Sequence, residues 1–150
     1  MDDDRTELTA KIARLKRKSG LSWKAIAAKI GPRSPVYYTA ALKGQMRLTK
    51  AEAEAAGRVL DLDEDEVALL QEVPYRGSLP AALLTDPLIY RFYELVQVYG
   101  TTWKALIEEE FGDGIMSAID FDMAIDRQPD PKGDRVRITM SGKFLTYKQY

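Results

Sequence analysis

From Ile119 onward the apolar residues fall on every second position: Ile119, Phe121, Met123 and Ile125 alternate with Asp120, Asp122, Ala124 and Asp126. A β-strand, whose side chains point alternately to its two faces, gathers such a series on one side. Pro129-Asp130-Pro131-Lys132-Gly133 is a turn signal, and Val136, Ile138 and Met140 then mark a second strand. The three Asp residues resemble a metal-ligand set, but acids at alternate positions are the ordinary wet face of a strand. Two strands cannot close a core alone. Their apolar face therefore needs another subunit, and the chain is expected to be an obligate oligomer.

Ahead of the strands the period is helical, in five short segments. Asp4 with Glu7 reads as a capping box before Leu8, Ile12 and Leu15, with Gly20 as the stop. Ser22 starts a second helix carrying Trp23, Ile26 and Ile30 and ending at Gly31. Ser34-Pro35 starts a third with Val36 and Ala40 inward, and Gly44 ends it. Thr49 with Glu52, and Asp63 with Glu66, are capping boxes for the fourth and fifth. The stretch 73–80, with two Pro and Gly77, is the expected boundary. The expected fold is mainly α (α+β): a five-helix bundle over 1–76, then a small α+β dimerisation and catalytic domain over 77–150.

Composition narrows the chemistry. The chain has 150 residues, is 45% hydrophobic and 30% charged, and so is globular rather than disordered. No apolar run approaches the roughly 20 residues that span a bilayer. The start MDDDRTEL is acidic, without the apolar centre of a signal peptide. The expected location is cytoplasmic. There is no Cys, so disulfides and thiolate chemistry are excluded. There is also no His, which removes the commonest general base near neutral pH and the commonest metal ligand. A Ser-His-Asp triad cannot be built. Catalysis would have to rest on positioning, fixed charge and hydrogen bonds.

The polar residues that fit this description lie in 85–121, TDPLIYRFYELVQVYGTTWKALIEEEFGDGIMSAIDF. Asp86 and Pro87 form a helix start, and Leu88, Phe92, Leu95 and Tyr99 form an apolar stripe that Gly100 would end. Arg91 and Glu94 neighbour each other on its flank. Their spacing alone is that of any solvated surface pair. Thr101 or Thr102 would open a further helix with Trp103, Leu106 and Ile107 inward and Glu108 to Glu110 solvated. The aromatic residues at helical spacing, Tyr90, Phe92, Tyr93, Tyr99 and Trp103, read as core or subunit interface. Gly112 and Gly114 bracket Asp113, allow backbone conformations that a side chain would resist, and present Ser117 at the next element.

The string as a whole closely resembles the cyanase (cyanate hydratase) family. The resemblance rests on Tyr90-Arg91 with Glu94, on Val98-Tyr99-Gly100, and on the run Phe111 to Ile119. It is densest over 85–121 and extends more loosely over most of the chain. It implies a lyase that combines cyanate with bicarbonate and releases carbamate and carbon dioxide. Carbamate then breaks down to ammonia and a second carbon dioxide, with no cofactor and no metal. It implies Arg91, Glu94 and Ser117 as catalytic residues, with Arg91, Ser117 and Leu145 binding substrate. It also implies strands intertwined between two subunits, a homodecamer built as a pentamer of dimers, and sites shared between chains. One departure stands out: the family's Gly-Lys-aromatic-Leu-Pro is here Gly142-Lys143-Phe144-Leu145-Thr146.

A rival reading is a DNA-binding regulator, because the second and third helices form a phage-repressor-like helix-turn-helix. Residues 5–50 hold twelve Lys or Arg against the single acid Glu7. Against it, residues 51–72 carry eight acids and one Arg, nearly neutralising the segment. The would-be recognition helix SPVYYTAALKG is poor in the Arg, Asn and Gln that read base edges. The expected partners are small anions and further copies of the chain, not nucleic acid or membrane.

Overall fold

The structure, a computed structural model, describes residues 3–77 and 85–150. The fold is mostly helical with a two-stranded antiparallel sheet. The helices are α1 (Asp3–Ser19), α2 (Trp23–Ile30), α3 (Pro35–Leu42), α4 (Lys50–Leu60), α5 (Glu64–Leu69) and α6 (Pro87–Phe111), followed by β1 (Gly114–Gln128) and β2 (Arg135–Thr146). Two compact units result, one of Met1–Ser78 with Met123–Thr139, the other of Leu79–Asp122 with Met140–Tyr150. The expected boundary stretch is described only as far as Gly77.

Most helix starts follow from local chemistry. Ser22 accepts from the Ala25 N–H at 3.0 Å, and Ser34 accepts from the Val36 N–H at 3.2 Å. Two of the three expected capping boxes are present, Thr49 with Glu52 and Asp63 with Glu66. Helix α1 differs: it begins at Asp3, so Asp4 lies inside the first turn rather than ahead of it. Asp2, Asp3 and Asp4 are three successive acids, and periodicity does not say which one opens the helix.

Leu8 and Ile12 of α1, Ile26 and Ile30 of α2, Leu42, Leu48, Leu60 and Leu70 form one buried core. Helix α3 turns differently from expectation. Val36 and Ala40 are half-buried, whereas Tyr38, Ala41 and Leu42 are buried. Tyr38 can go inward because its hydroxyl finds partners there. It donates to Glu52 Oε1 at 3.1 Å and accepts the Arg33 N–H at 3.3 Å. Gly31 makes this possible by space and not by conformation: its φ of 171° is ordinary extended backbone, but a Cβ there would strike the Tyr38 hydroxyl.

Glu52 gathers this part of the bundle. Arg33 Nε lies 2.8 Å from its Oε1, and the Thr49 N–H donates to its Oε2 at 2.9 Å. Burial pushes this carboxyl upward, but the hydrogen bonds from Thr49 and Tyr38 and the Arg33 charge outweigh it and hold the group below its ordinary value. Burial, by contrast, raises the Tyr38 phenol. A second buried polar centre is Arg5, which donates to the Ala41 carbonyl at 2.9 Å, to that of Met46 at 3.0 Å, and to that of Leu69. The bundle is also tied to β1, where the Ser34 hydroxyl donates to the Met123 carbonyl at 2.6 Å.

In the second unit, α6 runs unbroken for 25 residues through Gly100, where a stop and a fresh helix were expected. A glycine ends a helix when the next turn adopts a left-handed cap, and Gly100 is not among the positive-φ residues. The cap falls at Gly112, with φ 92°. None of Trp103, Leu106 and Ile107 is buried within the chain, and Glu108 pairs with Lys104. The ribbon is equally open, with Ile119 at 99% and Val136 at 76% exposure.

Two predictions follow from these helices. Glu52→Gln should lower stability by about 1–3 kcal/mol, the usual cost of weakening a buried charged hydrogen-bond set. Because the folded carboxyl titrates below its ordinary 4.5, its contribution is complete above that pH and is lost as pH falls through the lower folded value. The urea midpoint of the parent should therefore drop more steeply with acid than that of the variant, and parallel curves would refute the role. Gly100→Ala should stabilise α6 by about 0.5–1 kcal/mol. An added Cβ meets only Val96 Cγ1 at an ordinary 3.7 Å. A lower thermal midpoint would instead show that the added methyl group strikes a surface packed against α6.

Candidate active site

Arg91 and Glu94 sit on the second and third turns of α6, whose start is fixed by Asp86. Its Oδ1 accepts the Leu88 and Ile89 N–H groups at 2.9 and 3.0 Å, and Pro87 fills the first helical position. This cap sets the phase of the helix, so Arg91 and Glu94 share a flank and form an ion pair through Arg91 Nη1 and Glu94 Oε2. The side chains are 65% and 43% exposed within the chain. An exposed pair of this spacing adds little to stability, about 0.3–0.5 kcal/mol. Its stronger consequence is orientation: Glu94 holds one nitrogen of a guanidinium that is otherwise largely exposed.

Aromatic rings flank the pair. Tyr90 and Tyr93 lie 6.0 Å apart, and further along the helix Tyr99 stacks on Trp103 at 6.4 Å. Tyr90, Phe92, Tyr93 and Tyr99 are each 44% to 48% exposed. The expected apolar stripe exists, and among the described residues Leu88, Phe92, Leu95 and Tyr99 stay 37% to 70% exposed.

Ser117 lies three residues into β1 and is the one buried residue of that strand, at 5% exposure. Its Oγ accepts two backbone N–H groups, from Ile119 at 3.0 Å and from Asp120 at 2.9 Å. Successive N–H groups of a flat strand point to opposite edges. Both meet one oxygen here because the backbone curls around the Ser117 side chain. With two bonds accepted, the hydroxyl keeps its proton to offer, and no described residue takes it. The glycines before it serve different ends. Gly112 uses its left-handed φ to end α6, whereas Gly114 lies outside the positive-φ set and is bare because the Leu145 carbonyl and the Phe144 ring pass against it. Leu145, opposite, is 44% exposed.

The structure thus joins Arg91 to Glu94. Among the described residues, no hydrogen bond or ion pair connects either of them to Ser117. Sequence reasoning passed over the two N–H groups that hold Ser117, and it named Gly142 without seeing its closeness to the Ser117 carbonyl. The motif around Gly142 was the available signal. Among the described residues, no group of three or more acids is placed to hold a metal ion. Nor is any helix there long and apolar enough to cross a membrane.

Comparison with known proteins is consistent across the chain. Residues 5–74 match the family described as "Cyanate hydratase, N-terminal", and residues 81–149 match "Cyanate lyase C-terminal domain". A cyanate hydratase of Ralstonia pickettii (strain 12J) is 64% identical over 146 residues, covering 97% of this chain and 99% of that protein. One from Dechloromonas aromatica (strain RCB) is 63% identical over 147 residues, covering 98% and 99%. The crystal structure of cyanase from T. urticae superposes with a TM-score of 0.82 at 34% identity, covering 93% of this chain and 96% of that one. The DNA-binding reading is not favoured: these full-length relatives carry an enzyme's name, and α3 buries Tyr38, Ala41 and Leu42 while offering no Arg, Asn or Gln. The two family matches, over residues 5–74 and 81–149, with relatives of 64% and 63% identity along nearly the whole chain, make this chain a member of the cyanate hydratase (cyanate lyase) family.

Proposed function

We propose that this chain is a cyanate hydratase, a lyase that decomposes cyanate with bicarbonate to ammonia and carbon dioxide through carbamate, and that it works in the cytoplasm. The observation that carries the reading is the near-complete alignment, at 64% and 63% identity, with proteins of that name. In terms of domains, 1–76 forms the helical bundle and 77–150 carries the chemistry. The physical problem is to hold two small anions together and stabilise the dianion they form. Arg91 meets it with a guanidinium that stays charged and bonds carboxylate oxygens in pairs. Ser117 donates its hydroxyl to the same oxygens, and Leu145 lines the binding place.

Glu94 orients Arg91 and carries protons. Cyanate and bicarbonate need protons to leave as ammonia and carbon dioxide, and the chain has no His to deliver them. Gathering and aligning two reactants lowers a barrier by on the order of 7 kcal/mol or more in well-oriented cases. No cofactor enters this route.

The same proposal assigns the occupant of the uncovered surfaces. A second copy of this chain covers α6 and interlocks its ribbon, and five such pairs close a homodecamer with sites shared between subunits. Support comes from a 25-residue helix without one buried residue, beside a ribbon whose Ile119 is 99% exposed. The family resemblance supplies the number ten.

Purified protein given cyanate should release ammonia with bicarbonate and far less without it; equal release, or none, sinks the reading. Light scattering should give a closed oligomer of ten chains, and an active monomer would remove the shared site. Arg91→Lys keeps charge but loses the planar fork, so turnover should fall about a hundredfold, the scale of losing one oriented donor. Ser117→Ala should fall comparably with assembly intact. Glu94→Gln, which keeps shape but not charge, should slow turnover if Glu94 moves protons, and parental activity would reduce it to a spacer.

A further inference from the structure

Gly142 has no conformational reason to be glycine, since it lies outside the positive-φ set. Its reason is space. A Cβ at this position would strike the Ser117 carbonyl oxygen, and would lie 2.6 Å from Met116 Cγ and 3.3 Å from the Phe121 ring. Gly114 shows the same closeness to the Leu145 carbonyl, three residues back along β1 and three on along β2. That step is the antiparallel register, so two bare positions on opposite strands let the backbones meet on either side of the Ser117–Leu145 segment. On β1 the neighbours Ile115, Met116 and Ile119 are 50%, 44% and 99% exposed, while Ser117 is 5% exposed. Gly142 of β2 lies against this one enclosed residue of β1.

We propose that Gly142 is a positioning residue for Ser117: the strand contact it permits, with the N–H groups of Ile119 and Asp120, fixes the Ser117 hydroxyl as a one-way hydrogen donor. Two accepted bonds use the oxygen's lone pairs and polarise the O–H, strengthening what it donates. A side chain at 142 pushes on the Ser117 carbonyl and swings the hydroxyl away from its target. This inference rests on the reading of Ser117 as the donor to the substrate anion.

The test compares assembled Gly142→Ala, Ser117→Ala and the double variant for ammonia release from cyanate. In Gly142→Ala, turnover is expected to fall about tenfold or more, because sub-ångström misplacement of a reacting group is costly. The double variant should be no slower than Ser117→Ala, since no hydroxyl remains to be misplaced. If Ser117→Ala runs at the parental rate, the donor reading itself fails. If Ser117→Ala is slow but Gly142→Ala is not, or the two losses multiply, the role of Gly142 alone is overturned. Should Gly142→Ala not assemble, amide exchange in Ser117→Ala decides. Exchange at Ile119 and Asp120 about tenfold faster than in the parent supports the locked hydroxyl, and unchanged protection overturns it.

Discussion

A helix of 25 residues with none of them buried is the constraint on which the rest of this molecule depends. Fully burying one large apolar side chain is worth about 1.5–3 kcal/mol. Leu88, Phe92, Tyr99, Trp103 and Leu106 all stand between 45% and 70% exposed. Left in water, such a surface associates. The bundle has no such need, because Leu8, Ile12, Ile26, Leu42 and Leu60 already share one core. The apolar surface left open therefore lies on α6 and the ribbon, whereas the bundle closes its own core.

Polar groups are handled differently in the two units. In the bundle, charge is buried and satisfied: Glu52 collects Arg33, Tyr38 and Thr49, and Arg5 is spent on carbonyls. Such centres fix how helices meet, because a misdocked helix would strand a polar atom away from water. On α6 the ion pair of Arg91 and Glu94 stays open, with donors unused. Ser117 is intermediate: its oxygen is enclosed and its lone pairs are occupied, yet its proton is not taken up by any described residue. A hydroxyl in that condition is suited to an anion and poorly suited to attack.

What sequence can disclose follows from how local the physics is. Ser22, Ser34, Thr49, Asp63 and Asp86 announce helix starts because a cap involves only three or four residues. The alternation from Ile119 announced a strand for the same reason. Gly100 misled because a glycine inside a helix and one beyond its end look alike until the next φ is known. Tyr38 misled because its inward turn depends on Glu52 and Gly31, which lie in other elements. Of the candidate residues, Arg91 and Glu94 could be paired from spacing, and they are paired. The closeness of Gly142 to Ser117 could not be read, since the two lie on different strands.

Arg5 carries one more consequence, for the order in which the bundle is completed. The guanidinium reaches the Leu69 carbonyl, a residue made 64 positions later. At roughly 5–20 residues per second of synthesis, that acceptor emerges about three to thirteen seconds after its donor. Helix α1 is thus held in stages, by the Ala41 and Met46 carbonyls once α3 and the turn after it are made, and by that of Leu69 only when α5 is complete.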